Sequence, residues 1–260
     1  MLSYQHAYHA GNLADVHKHA LLAVMLEYAA RKDKPLSYIE THAGRGLYDL
    51  GAPEAVKTGE AKAAAGATRA FAPDHPYLQA LEKTRQTHGQ GAYPGSPLIA
   101  RTLLRDTDSL HLAELHPAEH AALRGAVPRA NIAKEDGFAF AHSRTPPTPR
   151  RGLMLIDPSY EVKSDYAAIP GHIARLTKAW NVGIITLWYP VLTNQAHQNM
   201  VKTITTAHPQ ALHSQVRFAP ARKGHGMVGS GLIVLNPPYP LASEAARLEQ
   251  WYAENLKGTA

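Results

Sequence analysis

The residues best placed to do chemistry in this chain are acids that close apolar runs. The sharpest case is Leu155-Ile156-Asp157-Pro158-Ser159-Tyr160, an apolar strand candidate ended by Asp-Pro-x-aromatic. Such a turn suits methylation of an amino group conjugated to a ring, because the lone pair of that amine is delocalised and reacts poorly. The Asp157 carboxylate can accept one N–H of the amine and the Pro158 carbonyl the other. Together they draw the nitrogen toward tetrahedral geometry and align its lone pair with an incoming methyl group. Tyr160 offers a ring face on which an extruded base can stack. A plain strand-ending Asp-Pro turn would carry the same letters, so the flanking residues must decide.

Three other strand ends carry matching signals. The run Leu36–Glu40 passes into Thr41-His42-Ala43-Gly44-Arg45-Gly46, where small residues allow close approach of the backbone to a ligand. The dinucleotide fingerprint asks for a third glycine at position 49. Asp49 stands there, which disfavours a pyrophosphate and leaves a cofactor without phosphates, such as S-adenosylmethionine. Glu114, near the end of the run Leu110–Leu115, is placed to accept hydrogen bonds from ribose hydroxyls. It follows Gly44 by 70 residues, against the ~20 of an uninterrupted unit, an excess that a helical insertion accounts for. Glu135-Asp136-Gly137 closes a further run, with an acid able to receive the amino group of a bound adenine.

Two patterns compete with this reading. Asn236-Pro237-Pro238-Tyr239 matches the amine-binding turn more literally, but it follows the last strand candidate, far from the first. In a doubly wound sheet the catalytic turn belongs after the strand beside the first one, which favours Asp157. His116-Pro117-Ala118-Glu119-His120 fits a zinc-peptidase pattern, with two histidines one helical turn apart. It lacks an evident third ligand, and no metal is expected. His17 and His19 are two apart and diverge on a helix, so packing or surface roles are their default.

The elements that must position these residues alternate. Asn12 with Asp15 caps a helix whose apolar positions include Leu13, Val16, Ala20 and Val24, and Lys34-Pro35 stops it. Strand candidates follow at Leu36–Glu40, Leu110–Leu115, Asn131–Lys134, Leu153–Ile156, Val182–Trp188 and Leu232–Leu235, with a weaker one at Leu212–Phe218. A glycine-rich loop, Lys223–Gly231, precedes the last. Residues 48–92 are alanine-rich and helical in character, with five basic and five acidic residues, and read as an insertion within one domain spanning 1–260. The pattern predicts an α/β fold with a doubly wound, mostly parallel sheet, its ligand beyond the carboxyl ends of the strands.

Composition sets outer bounds. Of 260 residues 45% are hydrophobic, enough for a substantial core, and no apolar run reaches the length of a membrane span. Cysteine is absent, which excludes disulfides and thiolate chemistry. A formal net charge of +6 favours an anionic partner such as nucleic acid. Arg222 and Lys223, in the loop before the last strand, start on the ligand side and are expected to meet RNA. Arg150 and Arg151, which precede the catalytic strand, are less well placed.

Taken together, Met1-Leu2-Ser3-Tyr4, His9-Ala10-Gly11-Asn12, Ala14-Asp15-Val16, Lys18-His19, Thr41-His42-Ala43-Gly44, Tyr93 through Arg101, Glu114-Leu115-His116-Pro117, Leu187 through Val191 and Ser230 through Pro238 resemble the bacterial 23S rRNA adenine-N6 methyltransferase (RlmJ) family. The resemblance covers nearly the whole chain. It implies a Rossmann-like class I methyltransferase with a small helical insertion, S-adenosylmethionine as cofactor and 23S ribosomal RNA as partner. Cofactor contacts would be His19, His42, Gly44, Ser96, Glu114, Asp136, Gly137 and Asp157, with Asp157, Pro158 and Tyr160 at the chemistry and Tyr4 touching RNA. A cytoplasmic monomer is expected. The family usually has proline where Ser159 stands, which bears on rate more than on reaction type. A methyltransferase acting on DNA adenine or a protein amide would use the same turn, a zinc peptidase would rest on His116 and His120, and a silent RNA-binding protein would keep the charge without the cofactor.

Overall fold

The computed structural model describes residues 6–220, 224 and 226–256. Its elements begin with α1 (Leu13–Ala30), β1 (Ser37–Glu40), β2 (Leu47–Asp49), α2 (Pro53–Thr58), α3 (Glu60–Ala64), α4 (Pro76–His88), β3 (Ala92–Pro94), α5 (Ser96–Leu103), β4 (Ser109–Ala113) and α6 (Pro117–Ala126). They continue with β5 (Asn131–Ala133), α7 (Gly137–Ser143), β6 (Gly152–Ile156), α8 (Asp165–Ala179), β7 (Ile184–Leu192), α9 (Gln198–Ala207), β8 (Leu212–Arg217), β9 (Met227–Leu235) and α10 (Leu241–Asn255). No described helix is long and apolar enough to cross a membrane.

Among the described residues seven strands form one sheet in the order β5-β4-β1-β6-β7-β9-β8. Its first five members pair in parallel, and β9 runs antiparallel to both β7 and β8. The chain moves from β1 outward to β4 and β5, then returns to lay β6 and β7 on the other side. The order therefore reverses between β1 and β6, where doubly wound sheets bind ligands. Glu40 is in register with Leu155, so Asp157 emerges beside the turn that follows β1. This is the α/β, Rossmann-like architecture expected from the alternation.

Side chains alternate across the strands, as a pleated sheet requires. Tyr38, Leu110, Leu112, Leu153, Leu155, Leu232 and Val234 join one core with Leu21, Leu22, Met25 and Leu26 of α1. Ile39, Met154, Ile156, Ile185, Leu187 and Ile233 join a second core with Ile169, Ile173 and Leu176 of α8 and Met200 and Ile204 of α9. Helix α1 starts where Asn12 Oδ1 accepts the Asp15 amide at 2.9 Å. It is buried nearly all round, which draws Asp15, His17, Lys18 and His19 into the interior.

The segment between β2 and β3 holds α2, α3, a short 3-10 helix at Ala65–Ala70 and α4. Its ends are tied by an antiparallel ladder, Leu47↔Pro94 to Asp49↔Ala92, that alternation in the sequence did not show. Phe71, Tyr77, Ala80 and Leu81 from this segment pack into the core around α1.

The last strand departs from expectation. Residues 227–231, read as part of a glycine-rich loop, belong to β9. The glycines are there for space: a Cβ on Gly231 would fall on the Tyr189 ring, and one on Gly229 on the Val216 carbonyl. Because β9 is antiparallel, its end lies at the amino edge of β7, with Leu235 opposite Ile185. Asn236 is therefore on the side away from the ligand crevice. Its amide donates to the Asn181 and Gly183 carbonyls at 3.0 and 2.8 Å, and its φ of 54° lies in the left-handed region that asparagine tolerates. Arg151 is bound at the same edge, donating to the Lys34 carbonyl at 2.6 Å and to that of Ala29. Asn236→Ala should lower unfolding free energy by roughly 1–3 kcal/mol in urea denaturation. Unchanged stability would remove this bracing role.

Candidate active site

A cavity of about 460 Å³ opens at the carboxyl ends of the parallel strands and is lined by residues from the turns after β1, β4, β5 and β6. Asp157 lies on its wall just beyond β6. The ammonium of Lys18, on α1, donates to Asp157 Oδ2 at 2.7 Å and reaches Asp15 Oδ1 at 3.1 Å. The Lys18 side chain is 5% exposed and that of Asp157 14%. Burial opposes the lysine's charge, but Asp157 and Asp15 outweigh it and hold its pKa above the usual lysine range. Asp15 is also buried; His6, Lys18 and His19 overcome that penalty and keep its carboxyl well below the usual range. His6 Nε2 and the Gly11 amide contact Asp15 Oδ2 at 2.8 and 2.9 Å. Asp157, Lys18 and Asp15 thus form one buried ion cluster.

Beside it, the carboxyl of Glu40 at the end of β1 accepts hydrogen bonds from Ser96 and, at 2.8 Å, from Tyr38. Burial pushes Glu40 up to about 8, against those bonds. Ser96, at the first turn of α5, therefore lines the cavity with its hydroxyl committed to Glu40. His19 Nδ1 meets the Tyr93 hydroxyl at 2.9 Å, and its Nε2 lies 3.8 Å from Asp15 Oδ1.

Across the crevice, Glu114 clamps two turns. Its carboxylate accepts the Gly44 amide at 2.8 Å and the His116 amide at 2.7 Å, and burial raises its pKa. Gly44 has φ 61°, and a Cβ there would meet the Tyr48 hydroxyl. Asp136 caps α7, its Oδ1 accepting the Ala139 amide at 2.8 Å. Helix α7 then crosses so close to β1 that a Cβ on Gly137 would fall on the Thr41 carbonyl and the His42 ring. His42 Nδ1 contacts Thr41 Oγ1 at 2.7 Å, and its ring meets the edge of Phe138 with centroids 5.4 Å apart.

Tyr160 lines the cavity but is 8% exposed. Its ring stacks on Tyr166 at 4.7 Å, its hydroxyl donates to the Trp188 carbonyl at 2.7 Å, and its φ is 57°. One of its faces is already occupied by protein. Lys18 sits 5.4 Å from the Trp188 ring centroid, so the indole touches the ion cluster as well.

The zinc-peptidase pattern is used otherwise. His116 Nδ1 accepts the Glu119 amide at 3.4 Å as the cap of α6, and Glu119 takes two hydrogen bonds from Arg45 at 2.8 and 2.9 Å. Tyr4, Arg222 and Lys223 lie outside the described residues. Sequence reasoning gave no role to Lys18, Trp188 or Glu40. A lysine and an aspartate three apart on a helix apolar all round was the available signal.

The charge of the cavity tests what it could hold. Among the described residues seven carboxylates and one lysine line it, although the chain as a whole is basic. A pyrophosphate is disfavoured here directly, whereas a cationic sulfonium with an ammonium group suits the wall. The backbone closeness at Gly44 and Gly137 leaves room for a flat nucleoside, and Glu114 faces the cavity as an acceptor. The donor set fits S-adenosylmethionine.

The buried titrating groups predict a pH profile. Burial pushes His17 and His19 down to about 3 and His42 to about 4. Below the unfolded value of about 6.5, the unfolded chain takes up protons that the folded protein refuses. Glu40 acts in the opposite sense, keeping a proton up to about 8 that the unfolded chain has lost. Between about pH 5 and 6 these three histidines outweigh Glu40, and the four groups by themselves leave about two protons taken up on unfolding. Stability should fall on acidification across that window by roughly 2–3 kcal/mol per pH unit. Urea denaturation at several pH values checks this, and a flat profile would contradict it.

Comparison with known proteins agrees with this geometry. A family model described as "Ribosomal RNA large subunit methyltransferase D, RlmJ" matches residues 33–259. Ribosomal RNA large subunit methyltransferase J of Escherichia coli (strain K12) is 40% identical over 266 aligned positions, covering 98% of this chain and 94% of the relative. The protein of the same name from Haemophilus influenzae is 35% identical, with the same coverage. A crystal structure of a protein from Legionella pneumophila aligns with a TM-score of 0.83 at 34% identity, over 97% of this chain and 96% of that one. With its Rossmann-like class I methyltransferase fold, the chain belongs to the RlmJ family of large-subunit ribosomal RNA methyltransferases.

Proposed function

We propose that this protein transfers a methyl group from S-adenosylmethionine to the exocyclic N6 amino group of an adenine in 23S ribosomal RNA, acting as a cytoplasmic monomer. The observation that carries this reading is the Asp157-Pro158 turn, set at the sheet's switch point with its carboxylate tied to Lys18 at 2.7 Å and facing an acidic cavity. When bound, S-adenosylmethionine supplies a methyl group made electrophilic by its sulfonium.

The chain's own residues supply binding and orientation. Glu114 receives the ribose hydroxyls, Asp136 and the start of α7 receive the adenine ring, and Gly44, Gly137, His42, His19 and Ser96 shape the walls. Lys18 occupies Oδ2 of Asp157. This leaves Oδ1 to accept one N–H of the target amine while the Pro158 carbonyl accepts the other. Fixing the carboxylate before the substrate arrives removes a reorganisation cost from the reaction. Tyr160 supports the turn through Trp188 and offers its remaining face to the base. Among the described residues, every lysine and arginine other than Lys18 lies outside this acidic cavity, as an RNA-binding surface requires. Tyr4, Arg222 and Lys223 are the proposed RNA contacts.

Substitution separates binding from transfer. Asp157→Asn keeps the shape of the side chain but loses its charge, and Asp157→Ala removes both. Each should cut methyl transfer at least about 100-fold, the loss of one preorganised acceptor, with S-adenosylmethionine affinity within a few-fold of the parent. Glu114→Ala should instead weaken cofactor binding by about 10–100-fold in calorimetric titration. Turnover retained by a folded Asp157→Ala protein would remove Asp157 from the chemistry. Replacing both Arg222 and Lys223 with alanine should make log RNA affinity less steep against log salt, by about 0.7–0.9 per lost phosphate contact. An unchanged slope would place the RNA elsewhere.

A further inference from the structure

Five polar residues that no part of the proposed reaction uses directly form a continuous chain behind the cavity wall. Trp188 Nε1 lies 2.9 Å from Ser230 Oγ, and Ser230 Oγ lies 3.0 Å from His17 Nδ1. His17 Nε2 lies 3.1 Å from Ser214 Oγ, and Ser214 Oγ lies 2.7 Å from Glu249 Oε1. His17, Ser214 and Ser230 are fully buried. Trp188 lines the cavity, while Glu249 is half-buried on α10. The row is built by register: Trp188 faces Leu232, which faces Ser214, and Ser230 lies two residues before Leu232 on the same sheet face.

With His17 uncharged, as its complete burial favours, the two ends fix every proton between them. An indole N–H can only donate and a carboxylate can only accept. Ser214 therefore donates to Glu249 and accepts from His17 Nε2–H. His17 Nδ1 then bears no proton and accepts from Ser230, whose oxygen accepts from Trp188. One tautomer and one direction satisfy all four bonds, and bonds aligned in one direction strengthen one another.

We propose that Ser230, His17, Ser214 and Glu249 form a directed hydrogen-bond relay that fixes the orientation of the Trp188 indole, and that they are positioning residues for the methyl-transfer site. Trp188 is the point at which orientation matters. Its ring lies under the Lys18 ammonium that holds Asp157, and its carbonyl holds the Tyr160 hydroxyl. Rotation of the indole would take the ring from under the Lys18 ammonium and loosen the Asp157 side of the amine-binding turn, while the Trp188 carbonyl, fixed in β7, and the Glu114 side of the cavity stay in place. The proposal rests on the methyltransferase reading for its consequence, but the relay itself can be tested without RNA or cofactor.

The protein has three tryptophans, and their indole N–H groups give separate nitrogen–proton NMR resonances. Trp188→Phe identifies the Trp188 signal by its loss. Trp180, whose indole donates to the Arg150 carbonyl at the far edge of the sheet, serves as an internal control. Ser214→Ala and Glu249→Ala should each move the Trp188 resonance while that of Trp180 stays. Ser230→Ala should lower kcat/KM for RNA about tenfold, the cost of about one hydrogen bond, with S-adenosylmethionine affinity changed less than twofold. Ser230→Thr, which keeps the hydroxyl, should restore most of that loss. A stationary Trp188 signal in the folded Glu249→Ala and Ser214→Ala proteins would overturn the relay. A shifted signal with undiminished RNA turnover in Ser230→Ala would overturn the positioning role. A parent protein that shows the shift on Glu249→Ala yet methylates no RNA would sink the proposed function and leave the relay standing.

Discussion

The interaction on which the rest of the structure depends is the buried contact of Lys18 with Asp15 and Asp157. Removing an ion from water costs several kcal/mol even after relaxation, so charges stay buried only where partners hold them. Here one cation is shared by two carboxylates that would otherwise repel across the helix–sheet boundary. Neither carboxylate belongs to the same local structure: Asp15 is capped into the first turn of α1, and Asp157 ends β6. The cluster therefore sets how α1 seats against the sheet and, in the same contact, how the turn after β6 faces the cavity. Asp15 is itself held by His6 and the Gly11 amide, so the segment entering α1 is drawn into the same constraint.

A second feature follows from charge placement. The chain is basic, with a net charge of +6, yet its cavity is acidic. The separation suits two ligands of opposite sign. In the proposed reaction a sulfonium cofactor would be drawn inward by Asp157, Asp136 and Glu114, while the phosphates of an RNA would be repelled from the cavity and attracted to the outer surface. Lys18 does not spoil the division, because its charge is spent on two carboxylates. Glu40, buried behind the wall against Ser96 and Tyr38, is favoured in its protonated form by burial and adds no further full charge beside Asp157.

Much of the fold was legible because it rests on local signals. Apolar runs marked the strands, and Asn12 with Asp15 marked the start of α1. The acids Glu114, Asp136 and Asp157 were legible as strand ends, and the topology gathers them. What was not legible depended on contacts between distant segments. The β2–β3 ladder joins residues more than forty positions apart and has too few residues to alternate. Gly229 and Gly231 resembled a loop because their reason is Tyr189 and Val216 on neighbouring strands. Tyr160 looked like a free stacking face, and its partner Tyr166 becomes visible only after the chain turns into α8. Lys18 stood in the quoted signature, but its role depends on Asp157, 139 residues later. Asn236 shows the converse: its local pattern is better than that of Asp157, and the antiparallel direction of β9 sends it to the wrong edge.

The proposed chemistry at the Asp157 turn is tested most directly by the position of the transferred methyl group. The protein would be incubated with isotope-labelled S-adenosylmethionine and large-subunit ribosomal RNA lacking its own modification, and the RNA digested and mapped by mass spectrometry. Label should be found as N6-methyladenosine at a single site, and the Asp157→Ala protein should leave that site bare. Label on a ribose, on another base, or spread without preference over adenines would contradict an amine held between the Asp157 carboxylate and the Pro158 carbonyl.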